Sequence, residues 1–319
     1  MKKSIIFILL LIILICTSTQ IGDNLYSEWK IDNNTQDNQI SWAKFIWTNG
    51  YLGEKYYAKT AMLIPCKIND IENPVTLQFD LGCDVTGVYE NTLRSIIPKN
   101  SSLTDRIKKI KKIFKSKYIL EKLGIHFGNY FAENNQSYLF EDYGEKVENF
   151  NKKDTIHIGT MGRDLFKNKV LIIDYPEQRF AICNTIPKEY NSKLIDIEIV
   201  KYGKIILPMK LNARNLKILF DNGSSIFPII TPAKNMSKFS ISIDVDTIAV
   251  SSWGEKHVVT GKVIKDTFEL AGQKFQNVRV YANHSGLGID NSTDGMTGNT
   301  LFWDKIIIID FKNKKFGVK

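Results

Sequence analysis

Apolar and polar positions alternate with period two over short runs through most of the chain, and Gly, Asn and Pro interrupt the runs at close intervals. That pattern predicts half-buried strands joined by turns, because successive side chains of a strand point to opposite faces. In the first half it predicts strands over 57–68 and 125–139. In the second half it predicts them over 194–200, 205–211, 216–220, 247–252, 257–268, 274–282 and 305–310. One segment departs from it. Ile107, Ile110, Ile113 and Phe114 recur among lysines at helical spacing, which predicts a basic amphipathic helix inside a helical stretch 92–122 broken at Pro98. The expected fold class is therefore mainly β, with one helix.

The pattern also repeats. Leu219-Phe220-Asp221-Asn222-Gly223-Ser224-Ser225 has a near copy in Gln78-Phe79-Asp80-Leu81-Gly82-Cys83-Asp84, 141 positions earlier. A lone Asp-x-Gly after an apolar strand is usually a turn, since Asp bonds its own backbone and Gly accepts unusual dihedrals. Duplication changes that reading. Residues 162–182 align without a gap on 298–318, with 8 of 21 columns identical and others exchanged like for like, such as Val170 with Ile306 and Tyr175 with Phe311. One module is used twice, and its two carboxylates suggest one shared site.

Composition refines this picture only in places. At 319 residues, 43% hydrophobic and 24% charged, the chain suits two globular units. Its excess of 43 basic over 34 acidic residues is concentrated in 106–122. That segment could meet an anionic membrane surface or nucleic acid, but a solvated face explains it as well, and no nucleic-acid motif accompanies it. Lys2 and Lys3 precede an apolar run over 5–16, which fits a signal peptide over 1–19 and an exported protein. Cys16 invites a lipoprotein reading, against which Ile15 stands where a small residue is usual. Residues 20–39 form a polar lead-in; the two modules then occupy 40–186 and 187–319, with a hinge over 176–192.

Export leaves Cys66, Cys83 and Cys183, so one disulfide with one free thiol is possible, and a Cys66 to Cys183 bridge would keep Cys83 free. His126, His157, His257 and His284 lack metal-ligand spacing and no acidic calcium loop occurs, so neither a metal nor another cofactor is expected.

With both Asp turns and both Gly-x-x-Leu-Phe segments in view, the chain resembles the pepsin-like, two-lobed, retropepsin-related aspartic peptidases. The resemblance spans most of the chain. It rests on Phe79-Asp80-Leu81-Gly82 with Met161-Gly162-Arg163-Asp164-Leu165-Phe166, and on Phe220-Asp221-Asn222-Gly223-Ser224-Ser225 with Thr297-Gly298-Asn299-Thr300-Leu301-Phe302. It implies two pseudo-symmetric β-barrel-like lobes with a cleft between them and a monomer acting on peptides or proteins. It also implies Asp80 and Asp221 as the pair that activates water, one carboxylate as base and one carboxylic acid, a pairing of which aspartic peptidases are a standard example. Gly82 and Gly223 would let the loops approach, and Ser224 would support the outer oxygen of Asp221.

The chain departs from that family at its centre. Leu81 and Asn222 stand where Thr or Ser would lock the loops together, Cys83 replaces a supporting Ser, and the basic segment falls where a hairpin carrying a Tyr would cover the cleft. Tyr89 and Tyr118 are the candidates for that Tyr. Three readings follow: an aspartic endopeptidase, a related fold without catalysis that binds peptide or a partner, and a nucleophilic Cys83, which lacks a nearby base in sequence.

Overall fold

The computed structural model describes residues 29–33, 40–71, 73–97, 101–113, 116–148, 156–191, 193–200, 203–239, 241–242, 245–252, 255–284 and 292–319. The stretch expected from sequence to be a signal peptide, 1–19, and most of the expected lead-in lie outside these residues. No helix among the described residues is long and apolar enough to cross a membrane. The fold is mainly β, as the alternation predicts. Strand Ile205–Leu211 has the predicted bounds, and Arg214–Phe220, Asp246–Ser252 and Ile306–Asp310 differ from theirs by one or two residues at their ends.

The first lobe closes on itself. Strand Tyr130–Phe140 pairs in parallel with Gly87–Tyr89 and antiparallel with Ser116–Phe127, so the path through Ile156–Met161, Val75–Phe79 and Met62–Ile68 returns to its start as a six-stranded barrel. The second lobe builds a ten-stranded sheet around Ile205–Leu211, Arg214–Phe220, Gly295–Thr297 and Ile229–Pro232. A third sheet of six strands is shared by the two halves, and its centre is the antiparallel pair Val170–Asp174 and Ile306–Asp310. Strand Arg179–Cys183, inside the stretch read from sequence as a hinge, belongs to this shared sheet.

The register of that central pair makes the duplication visible. Ile172 faces Ile308, and these two residues are also equivalent in the sequence repeat, so an approximate two-fold axis passes between them. Packing obeys the same symmetry. Phe79, immediately before Asp80, meets Phe166 and Phe180 at ring distances of 5.5 and 5.0 Å; Phe220, immediately before Asp221, meets Phe302 and Phe316 at 5.8 and 5.6 Å. All six rings are fully buried. Burying each contributes roughly 1.5–3 kcal/mol, so these trios anchor the strand ends that deliver the two Asp residues.

The basic segment is not a helix. Helices Glu90–Ile96 and Ser102–Arg106 are short, and the lysine-rich stretch continues as strand Ile107–Ile113, hairpin partner of Ser116–Phe127. Ile107 faces Leu120, Lys108 faces Ile119 and Lys109 faces Tyr118. The repeated isoleucines are β-branched and suit a pleated surface, and the barrel strand alongside offers a ladder that the local period cannot register. The amphipathic-helix argument for a membrane partner therefore falls. The segment is thus the first strand of a hairpin, with Tyr118 on the second strand beneath the Arg94 guanidinium. Cys66, Cys83 and Cys183 are all free thiols, so the possible Cys66 to Cys183 bridge is absent and Cys83 is unbridged.

Candidate active site

Each Asp leaves its strand in the same way. The Asp80 N–H donates to Met161 O and the Asp221 N–H to Thr297 O, tying each loop to the strand beside it. Three residues later the Cys83 N–H returns to Asp80 O and the Ser224 N–H to Asp221 O, closing matching turns. Side chains two apart share one face of a strand, so each carboxyl emerges opposite the phenylalanine trio, toward the other lobe.

There the two carboxyls meet. They interact directly, and both are sealed from solvent, at 0% and 1% exposure. Asp221 Oδ1 accepts the Gly82 N–H at 2.9 Å from the opposite loop and the Gly223 N–H at 2.8 Å from its own. Asp80 Oδ1 accepts the Cys83 N–H at 3.0 Å. Apart from the bond between the two carboxyls, the Oδ2 atoms have no hydrogen-bond partner among the described residues. The glycines are required by this approach: a Cβ on Gly82 would lie 2.3 Å from Asp221 Oδ2, and one on Gly223 2.6 Å from Asp80 Cγ.

Electrostatics separates the pair. Burial raises the Asp80 carboxyl well above the usual range, and the neighbouring Asp221 charge raises it further. Burial also raises Asp221, to about 6, but the Gly223 N–H, the Asp80 hydrogen bond, the Gly82 N–H and the Arg163 guanidinium hold it down. Of the two, Asp80 is thus pushed up the more strongly, an asymmetry of the kind acid and base chemistry draws on.

The floor under the loops is cross-linked by a residue pair that sequence reading missed. Arg163 is buried; its Nη1 donates to Leu81 O at 2.7 Å and Gly82 O at 2.9 Å, and its Nη2 forms an ion pair with Asp84. Asn299 holds the same place in the second lobe: its Nδ2 donates to Asn222 O at 2.6 Å and to Ser225 Oγ at 2.8 Å. Even the backbone bonds agree, Arg163 N–H to Cys83 O and Asn299 N–H to Ser224 O. The gapless alignment of 162–182 with 298–318 places Arg163 opposite Asn299, and that was the available signal.

The remaining expected residues divide. Leu81 is buried and its N–H donates to Asn222 Oδ1 at 2.5 Å, so Asn222 takes over half of the lock that a hydroxyl pair would make. Ser224 does not support Asp221: its Oγ is buried without a partner among the described residues. Cys83 Sγ donates to Val85 O at 3.1 Å, and burial, with Asp80 next, pushes its thiol far up, which rules against a thiolate nucleophile. Tyr89 is buried with its hydroxyl 3.0 Å from Thr160 Oγ1. Among the described residues no cluster of His, Cys, Asp and Glu has the form of a metal site.

No protein-family model matches the chain, and no curated protein matches it in sequence. Among solved structures, the chain path is similar to basic 7S globulin from soybean, at 9% identity over 88% of this chain and 95% of that one, with a TM-score of 0.47. It is also similar to an aspartic proteinase from Irpex lacteus, at 11% identity over 81% and 93% of the two chains, with a TM-score of 0.45. At such identities a shared path says nothing of a shared activity.

Proposed function

We propose that this chain is an exported aspartic endopeptidase, which hydrolyses peptide bonds with a water activated between Asp221 and Asp80. The observation that carries the reading is the direct contact of two buried carboxyls of unequal proton affinity at the junction of a duplicated fold. Asp221, charged, takes a proton from the water as it attacks the carbonyl; Asp80, protonated, donates to the carbonyl oxygen, and the leaving amine is protonated from the pair. The Gly82 and Gly223 N–H groups hold Asp221 Oδ1 in place, which orients the rest of its carboxyl.

One observation favours a second reading. Both carboxyls are covered, and Leu81 replaces half of the loop lock, as suits a fold that has kept its architecture and binds peptide without cutting it. Cleavage of a denatured protein at acidic pH, assayed with and without a statine-type peptide inhibitor, separates the two. Cleavage that the inhibitor blocks and that Asp221→Asn abolishes supports the peptidase. An intact fold with no cleavage leaves the binding reading.

A further inference from the structure

The two lobes match each other in backbone but not in the side chains immediately behind the dyad. Strand Val75–Phe79 pairs in parallel with Ile156–Met161, placing Gln78 beside Thr160. Strand Arg214–Phe220 pairs in parallel with Gly295–Thr297, placing Leu219 beside Met296. Gln78 and Leu219 each lie two residues before their Asp, on the face from which that carboxyl emerges. These are therefore equivalent positions, one pair on each side of the two-fold.

Their chemistry is opposite. On the first-lobe side Gln78 and Thr160 are buried, at 1% and 0% exposure, and the Tyr89 hydroxyl joins Thr160 Oγ1. The Gln78 Nε2 has no partner among the described residues, and the His157 ring meets Tyr89 edge-on at 5.3 Å. On the second-lobe side Leu219 and Met296 join the apolar side chains of Ile226, Phe227 and Ile230, with the ring of Tyr281 in the same cluster and its hydroxyl turned to Asp246. Buried amides are ordinarily paired, so an orphan donor behind a candidate catalytic carboxyl marks a place for an acceptor that arrives with a ligand.

We infer that the site takes peptides with unlike residues on the two sides of the dyad: a neutral polar side chain, amide or hydroxyl, against Gln78 and Thr160, and an apolar one against Leu219 and Met296. This rests on the peptide-directed reading of the site. The polar side is built from uncharged groups, since burial lowers the His157 ring to about 4 and keeps it neutral, so a charged side chain finds no counter-ion there. An apolar residue on that side would leave the Gln78 amide unpaired, and sites built to bond a polar group discriminate strongly against analogues that lack it.

Two measurements test this. In the first, the full chain is incubated at acidic pH with a mixture of random peptides and the cut ends are sequenced. The expected cuts have Gln, Asn, Ser or Thr on one side and Leu, Met or Phe on the other, and Gln78→Leu with Thr160→Met converts the polar preference to an apolar one, by roughly tenfold or more. Thr160→Val, which keeps the size, weakens the polar preference if the double variant does not fold. In the second, Asp221→Asn protein is titrated with hexapeptides centred on Gln-Leu, Leu-Gln and Leu-Leu. Tighter binding of one mixed peptide than of Leu-Leu supports the inference even where the native chain cuts nothing, which would sink only the peptidase reading. Apolar residues on both sides of the cuts, equal binding of the three peptides, or no binding at all overturns it.

Discussion

The Leu81 N–H donates to Asn222 Oδ1 across the lobe junction, and Leu81 has no side-chain atom that can return the bond. The lock is thus one-sided. Asn222→Leu removes the acceptor and leaves a buried N–H unpaired, which should cost about 1–3 kcal/mol. The drop in urea midpoint against the native chain checks this. Leu81→Thr, which adds the missing acceptor, should be neutral to stabilising and should raise any cleavage by holding the dyad more rigidly.

The buried dyad makes stability depend on pH with a definite sign. Asp221 is raised to about 6 in the folded chain from 3.8, so folding favours its protonated form. The associated stability is fully present below about pH 4 and is lost as pH rises through about 6. Across that window the loss is on the order of 3 kcal/mol. Urea midpoints should therefore fall between pH 4 and pH 7 in the native chain. An Asp80→Asn, Asp221→Asn double variant should show a much smaller fall.

Arg163 is a buried cation whose partners are Asp84 and two carbonyls of the Asp80 loop. Arg163→Met removes the ion-pair partner of the buried Asp84 and should cost roughly 3–5 kcal/mol. Adding Asp84→Leu should recover a large part of that cost. A double-mutant cycle of chemical unfolding measures the recovery, and a sum of independent losses would show that the pair is not coupled.

Gly82→Ala and Gly223→Ala probe the close approach without replacing a titrating residue. Each adds one methyl that meets the opposing carboxyl within 2.6 Å, so the dyad must part. Cleavage should fall by at least about a hundredfold, since misplacement of reacting groups by 1 Å has that effect. Circular dichroism should remain that of the native fold.

Much of the fold was legible because the chain states it twice. Phe79 and Phe220, Gly162 and Gly298, and the runs ending in Asp174 and Asp310 recur because both lobes need the same volumes at the same places, and in the fold the two rings and the two runs make equivalent contacts. The lysine-rich segment misled for the opposite reason. Its spacing of three suits a helix viewed alone, and only the ladder with Ser116–Phe127 makes it a strand.

By itself, then, the sequence determined the mainly β class and the duplication and singled out Asp80 and Asp221 as candidates, since alternation and repeated motifs are local properties of the chain. Tertiary structure alone decided the rest. That Arg163 grips the Asp80 loop while Asn299 grips its twin, that the Gly82 N–H reaches across to Asp221, and that burial raises Asp80 so strongly all depend on distances between residues far apart in the chain. Burial and hydrogen-bond geometry set those outcomes, and neither is fixed until the strands have paired.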